Sequence, residues 1–206
     1  GKSKLISDGR VRLSAVSQDD IKIKDGGLIL STSERQWIQV SGIPPKEDRG
    51  GYWLADSWMR QEMEQWVYPY HFIDFETSGV ALPFFAGMRP YEQIAFQFSH
   101  HVMHADGRVE HAGEFLMTEP VAFPNFAFAR ALKRELENDQ GTVFMWSPHE
   151  TTILNKIVDQ IAGTANSPRD GAELSAFMQS LVKGGDRAMY DLCRLNREAY
   201  FHVSTK

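Results

Sequence analysis

The chain is poor in cysteine: among 206 residues there is one, Cys193. An intramolecular disulfide is excluded, and a reducing compartment, the cytoplasm, is the expected location. Long apolar runs are missing too. No stretch approaches the roughly 18 consecutive apolar residues of a membrane span, and no charged start leads into an apolar signal core. A surplus of positive charge is a third absence. Lys and Arg number 22 against 27 Asp and Glu, a net charge of −5, which disfavours a protein that coats nucleic acid by bulk charge. The sequence also has no Gly-x-x-x-x-Gly-Lys-Ser/Thr loop and no Gly-x-Ser-x-Gly elbow. P-loop nucleotide hydrolysis and serine-elbow chemistry are set aside on that ground, and Cys193 has no surrounding motif for thiol catalysis.

What is present is globular: 42% hydrophobic, 24% charged and 12% aromatic residues. A chain of this length buries roughly 70% of its unfolded surface and needs no staple to fold. Gly1 stands where a start Met is expected, so the chain reads as a piece of a longer protein. Residues 1–66 read as an irregular or helical segment, with a loop at Gly42 to Gly51 and a helix over about 56–66 that Asp56 caps. Residues 67–206 read as the main domain.

In that domain Tyr70 to Thr77 is an aromatic and β-branched strand. Gln93 to His104 and Val109 to Met117 alternate with period two around Asp106-Gly107, a hairpin. A helix of about fifteen residues follows Pro124, then a short strand at Thr142 to Trp146. Ser147-Pro148 opens a helix with the stripe Ile153, Leu154, Ile157 and Ile161, and another helix covers about 171–182. Strand, hairpin, helix, strand, helix, helix is the order of an α/β fold with a mixed sheet.

Asp74 and Glu76, two apart on the first strand, leave the same face. If that strand is buried, two ionised carboxylates cost several kcal/mol each unless compensated, and a divalent cation compensates them. Solvation at a strand end is the competing reading. Glu150 sits in Ser147-Pro148-His149-Glu150, which also reads as a capping box that needs no metal. Asp191 either lines the same cleft or starts a helix.

Phe72-Ile73-Asp74-Phe75-Glu76-Thr77 resembles the first motif of the DEDD 3′→5′ exonuclease superfamily. The stretches Tyr68 to Thr77 and Arg89 to His101 resemble an uncharacterised bacterial domain family related to those exonucleases. The resemblance covers roughly residues 67–202 and is most specific over 68–101. It implies a ribonuclease-H-like mixed sheet flanked by helices and a Mg²⁺- or Mn²⁺-dependent phosphodiester hydrolase acting on a single-stranded end of DNA or RNA. Asp74, Glu76 and Glu150 would be metal ligands and Asp191 a further catalytic acid. Thr77, Arg89 and Gln97 would meet substrate. Trp146 and His149 depart from the Asn and Phe of the second motif. The last acid of the superfamily is expected beyond the residues given, because no Asp follows Asp191. A catalytically inactive module that binds nucleic acid or protein on the same fold is the alternative.

Two further features bear on function. A Zn²⁺ site of His100, His104 and His111 is conceivable, though no cysteine accompanies it. Arg89 with Phe84, Phe85 and Tyr91 would hold a phosphate and stack a base, or the aromatics would close the core beneath a Pro/Gly-rich loop.

Overall fold

The computed structural model describes residues 2–119, 122–163 and 167–204. In chain order its elements are α1 (Lys2–Ser7), α2 (Thr32–Ser41), β1 (Tyr52–Leu54), α3 (Asp56–Met63), β2 (Tyr70–Ser78), β3 (Ile94–Met103) and β4 (Val109–Leu116). They continue with α4 (Asn125–Leu136), β5 (Val143–Met145), α5 (His149–Gly163), α6 (Gly171–Leu181), β6 (Tyr190–Asp191), α7 (Leu192–Ala199) and β7 (Tyr200–His202). Two compact units result, one of Gly1–Gln65 with Cys193–Lys206 and one of Trp66–Leu192.

In the first unit α2 starts at a reciprocal capping box, with Ser31 Oγ accepting from Glu34 N–H and the Glu34 carboxylate accepting from Ser31 N–H. β1 pairs antiparallel with β7, placing Trp53 opposite Phe201. Leu30, Ile38 and Phe201 form a small core with Ile43 and Trp53 against it. The helix expected over 56–66 ends at Met63, and Ala55, not Asp56, precedes it without a side-chain cap.

The second unit is a mixed α/β domain with a five-stranded sheet in the order β4-β3-β2-β5-β6. β2, β3 and β4 are antiparallel neighbours, whereas β5 runs parallel to both β2 and β6. Gly107, at φ 85, turns the hairpin between β3 and β4. Alternation decides which residues of central β2 are covered. Ile73 and Phe75 are buried and join Phe98, Phe128, Leu132, Ile153, Leu154, Leu174 and Met178 in the core beneath α4, α5 and α6. Asp74 and Glu76 fall on the other face and are exposed. One face of β2 carries the core and the other carries the acids, so Asp74 and Glu76 are solvated rather than buried. On the acid side Phe72 stacks on Phe144, and Trp66 meets Tyr70, Phe144 and Tyr190 edge-on.

The covered face also buries two histidines, each 2% exposed. His71 Nδ1 and His100 Nε2 lie 2.9 Å apart, His71 Nε2 lies 2.9 Å from Asp139 Oδ1, and His100 Nδ1 lies 3.0 Å from Glu135 Oε2. Burial pushes the pKa of His71 down, against the pull of Asp139. His71 is therefore the neutral ring that donates to Asp139. Arg187 closes the far end through Asp139, the Gly141 carbonyl and the Leu136 carbonyl. Two glycines make the room. A Cβ on Gly113 would fall on the Glu135 carboxylate, and one on Gly141 would fall on the Pro69 carbonyl oxygen and 2.8 Å from His71 Nε2.

Candidate active site at the strand ends

The parallel strands bring three acids to one end of the sheet. Register pairs Phe72 with Phe144, Phe144 with Tyr190 and Met145 with Asp191. Asp74 lies two residues past Phe72, Asp191 ends β6, and Glu150 sits in the first turn of α5 just after β5. Ser147, at φ 85, reverses the chain between β5 and α5. That left-handed conformation is uncommon outside glycine and asparagine and is a local strain.

Glu150 is the unusual member. Its residue is 3% exposed, and its Oε2 is buried with no hydrogen-bond partner among the described residues. Loss of water raises its pKa to about 7; its own backbone N–H pulls the other way, and the carboxylates of Asp74 and Asp191 add to the rise. The capping-box reading of Glu150 is not realised. Helix α5 begins at His149, and among the described residues no hydrogen bond joins Ser147 to the Glu150 carboxylate. His149 instead sets its Nε2 3.2 Å from Thr77 Oγ1, tying the start of α5 to the motif strand.

Glu76 shares the open face with Asp74 and pairs across to Gln97 on β3, as Asp74 pairs with Ser99. Arg89 is exposed on the loop between β2 and β3. Thus Asp74, Glu150 and Asp191 are brought within electrostatic reach of one another, Thr77 is joined to His149, and Arg89 lines a separate cavity. The suggested Zn²⁺ set is not brought together. His100 faces inward to His71 and Glu135, His104 pairs with Glu110 at 2.8 Å, and His111 faces His101 at 3.4 Å. A β-bulge between His100 and His101 and the inward face of His100 separate these rings. Among the described residues, no three His, Cys, Asp or Glu side chains are gathered as ligands for a metal ion. The donor type still suits a hard cation: carboxylate oxygens, one of them a buried acceptor without a donor.

Sequence reasoning missed His149 as a neighbour of Thr77, and the His71–His100 pair. The first left no signal beyond its place beside Glu150. For the second, period-two alternation already puts His71 on the face of Ile73 and Phe75.

Residues 71–206 match the family described as Domain of unknown function (DUF2779), and the chain belongs to that family. No curated protein and no solved structure matches it. Among the described residues no helix is long and apolar enough to cross a membrane.

Proposed function

We propose that this chain carries a ribonuclease-H-like domain of the DEDD exonuclease type, which hydrolyses phosphodiester bonds from a single-stranded 3′ end of DNA or RNA with Mg²⁺ or Mn²⁺. The observation that carries the reading is Glu150, a buried carboxylate with an unpartnered oxygen, in the electrostatic field of Asp74 and Asp191. Buried polar atoms are nearly always satisfied, so an acceptor left open beside two further carboxylates favours a bound cation. Asp74, Glu76 and Glu150 would hold the cation, with Asp191 beside them. Such an ion supplies Lewis-acid polarisation of the phosphoryl group when bound.

The chain's own residues do the rest. Glu150, whose burial and neighbouring carboxylates raise its pKa to about 7, would hold a cation in its deprotonated form. His149, held by Thr77 at the mouth, is placed to exchange a proton with solvent. Trp146, 59% exposed, offers a face on which a terminal base can stack. Thr77, Gln97 and Arg89 remain the candidates for contact with substrate.

The second reading is a non-catalytic module on the same fold. It is favoured by the absence of a gathered ligand trio among the described residues and by Trp146 and His149 in place of the superfamily's Asn and Phe. Calorimetric Mn²⁺ titration, together with an assay on a single-stranded oligonucleotide, separates the two. The hydrolase reading expects Mn²⁺ binding that Asp74→Asn removes and Mn²⁺-dependent cleavage that Glu150→Gln lowers by at least about 100-fold, because even outer partners of a metal are worth about 10–100-fold. Mn²⁺ heats that Asp74→Asn leaves intact, with no cleavage, establish the module instead.

A further inference from the structure

The loop between β2 and β3 and the C-terminal half of α5 border an open cavity of about 690 Å³ whose lining does not include Asp74, Glu76, Glu150 or Asp191. We infer that this cavity receives a nucleobase of single-stranded nucleic acid, a deepening of the function proposed above that rests on that reading.

Its size lies inside the roughly 300–1,000 Å³ range of small-molecule sites. Phe85, Phe123, Phe126 and Tyr91 put aromatic rings in its lining. Phe85 and Phe123 meet edge-on, their centroids 5.8 Å apart. Tyr91 is held at φ 62, with its N–H on the Val80 carbonyl at 2.8 Å and its residue 67% exposed at the rim. A large ring kept in the left-handed region and out in water is a strain without a packing return.

The cavity is also built beforehand. Buried Asn125 gives its amide to the Gln93 carbonyl and to Gln160. Gln160 in turn donates to the Glu92 carboxylate at 3.0 Å, and that carboxylate accepts the Arg89 N–H at 2.8 Å. This chain of bonds ties the loop to α4 and α5, so little order has to be gained on binding. Gly79 belongs to the same design, since a Cβ there would fall on the Gln93 side-chain amide.

Charge selects the base over the phosphate. Arg89 and Lys156 are balanced by Glu92 and Asp159 in the lining, a formal sum of zero. A phosphate site needs a cationic surplus. Arg89, Lys156 and Asp159 make no ion pair among the described residues, which leaves donors and an acceptor for the edge of a planar heterocycle.

The test is fluorescence anisotropy of a fluorescein-labelled oligothymidine decamer with the full chain in EDTA, where cleavage is silent. Tyr91→Ala and Phe85→Ala are each expected to weaken binding about tenfold, the size of a lost stacking contact. Phe84→Ala, on the same loop but outside the lining, is expected to leave affinity unchanged, and free thymidine to compete where orthophosphate does not. EDTA keeps every cation out of these measurements, so failure of the hydrolase reading shows in the cleavage assay and not here. The inference is overturned if the decamer does not bind, if Tyr91→Ala and Phe85→Ala leave affinity untouched, if Phe84→Ala costs as much as they do, or if orthophosphate displaces the decamer. No binding would leave the exposed loop as a protein-contact surface.

Discussion

Two places in the Trp66–Leu192 unit bury ionisable side chains, and they treat them in opposite ways. Under α4, His71 and His100 are bracketed by Asp139 and Glu135, every ring nitrogen has a partner within 3.0 Å, and Arg187 secures the end of the chain. At the strand ends, Glu150 is as deeply buried, yet one oxygen has no partner among the described residues and two further carboxylates lie near. The first arrangement is what a fold does with polar groups it must keep dry. The second is a cost the fold carries without return to stability, and such costs gather where a ligand is meant to relieve them.

The largest expected effect breaks the first side of this comparison. Gly141→Ala puts a methyl group onto the Pro69 carbonyl oxygen, which is backbone and cannot step aside, and against His71. The expected loss of stability is about 3 kcal/mol or more, from overpacking together with a disturbed buried network. Urea unfolding of the two proteins measures it. A loss under about 1 kcal/mol would mean that the histidine network is loosely held and that the contrast with Glu150 is one of degree.

Glu150→Gln is expected to act with the opposite sign. The folded-state pKa of Glu150, about 7, lies above the ordinary value of about 4.3 in the unfolded chain. Between those values the native state binds the extra proton, so stability falls as pH rises through about 7 and is level above it. Glutamine copies the protonated form and escapes the fall. At pH 8 the variant should be more stable than wild type by up to about 4 kcal/mol, since each pH unit between the folded and unfolded pKa values is worth roughly 1.4 kcal/mol. At pH 4.5 the two should nearly coincide. Denaturant curves at both values check it, and a variant less stable than wild type at pH 8 would make Glu150 an ordinary structural acid.

The sheet and its helices were legible because their signals are local and periodic. The hairpin around Gly107, the stripe Ile153–Leu154–Ile157 and the Asp74–Glu76 pair all sit where alternation and helical spacing put them. The depth of the acids was not legible. Asp74 looked buried among Phe72, Ile73 and Phe75, but only one face of β2 is covered, and coverage depends on helices up to a hundred residues away. Glu150 misled differently: Ser-x-x-Glu is a capping pattern by sequence, whereas Ser147 adopts a positive φ and the helix starts after Pro148. The zinc suggestion failed because it counted histidines without weighing the inward face of His100, whose neighbours come from β2 and α4. Long-range partners such as Glu135 and Gln160 leave no mark in their own neighbourhood of sequence.

The smallest expected effect sharpens the second side. Trp146 follows β5 directly and is mostly exposed, so Trp146→Ala should alter stability by no more than about 0.5 kcal/mol. An exposed indole that contributes nothing to the fold, beside an acid that lowers its stability, belongs with the ligand-facing end of the sheet. The same variant should therefore weaken binding of a single-stranded oligonucleotide by about five- to tenfold, the loss of one stacked base. Anisotropy and thermal unfolding on one preparation give both numbers. A drop in stability of about 2 kcal/mol with unchanged affinity would place Trp146 in the packing, and the strand ends would then be less open than Glu150 makes them.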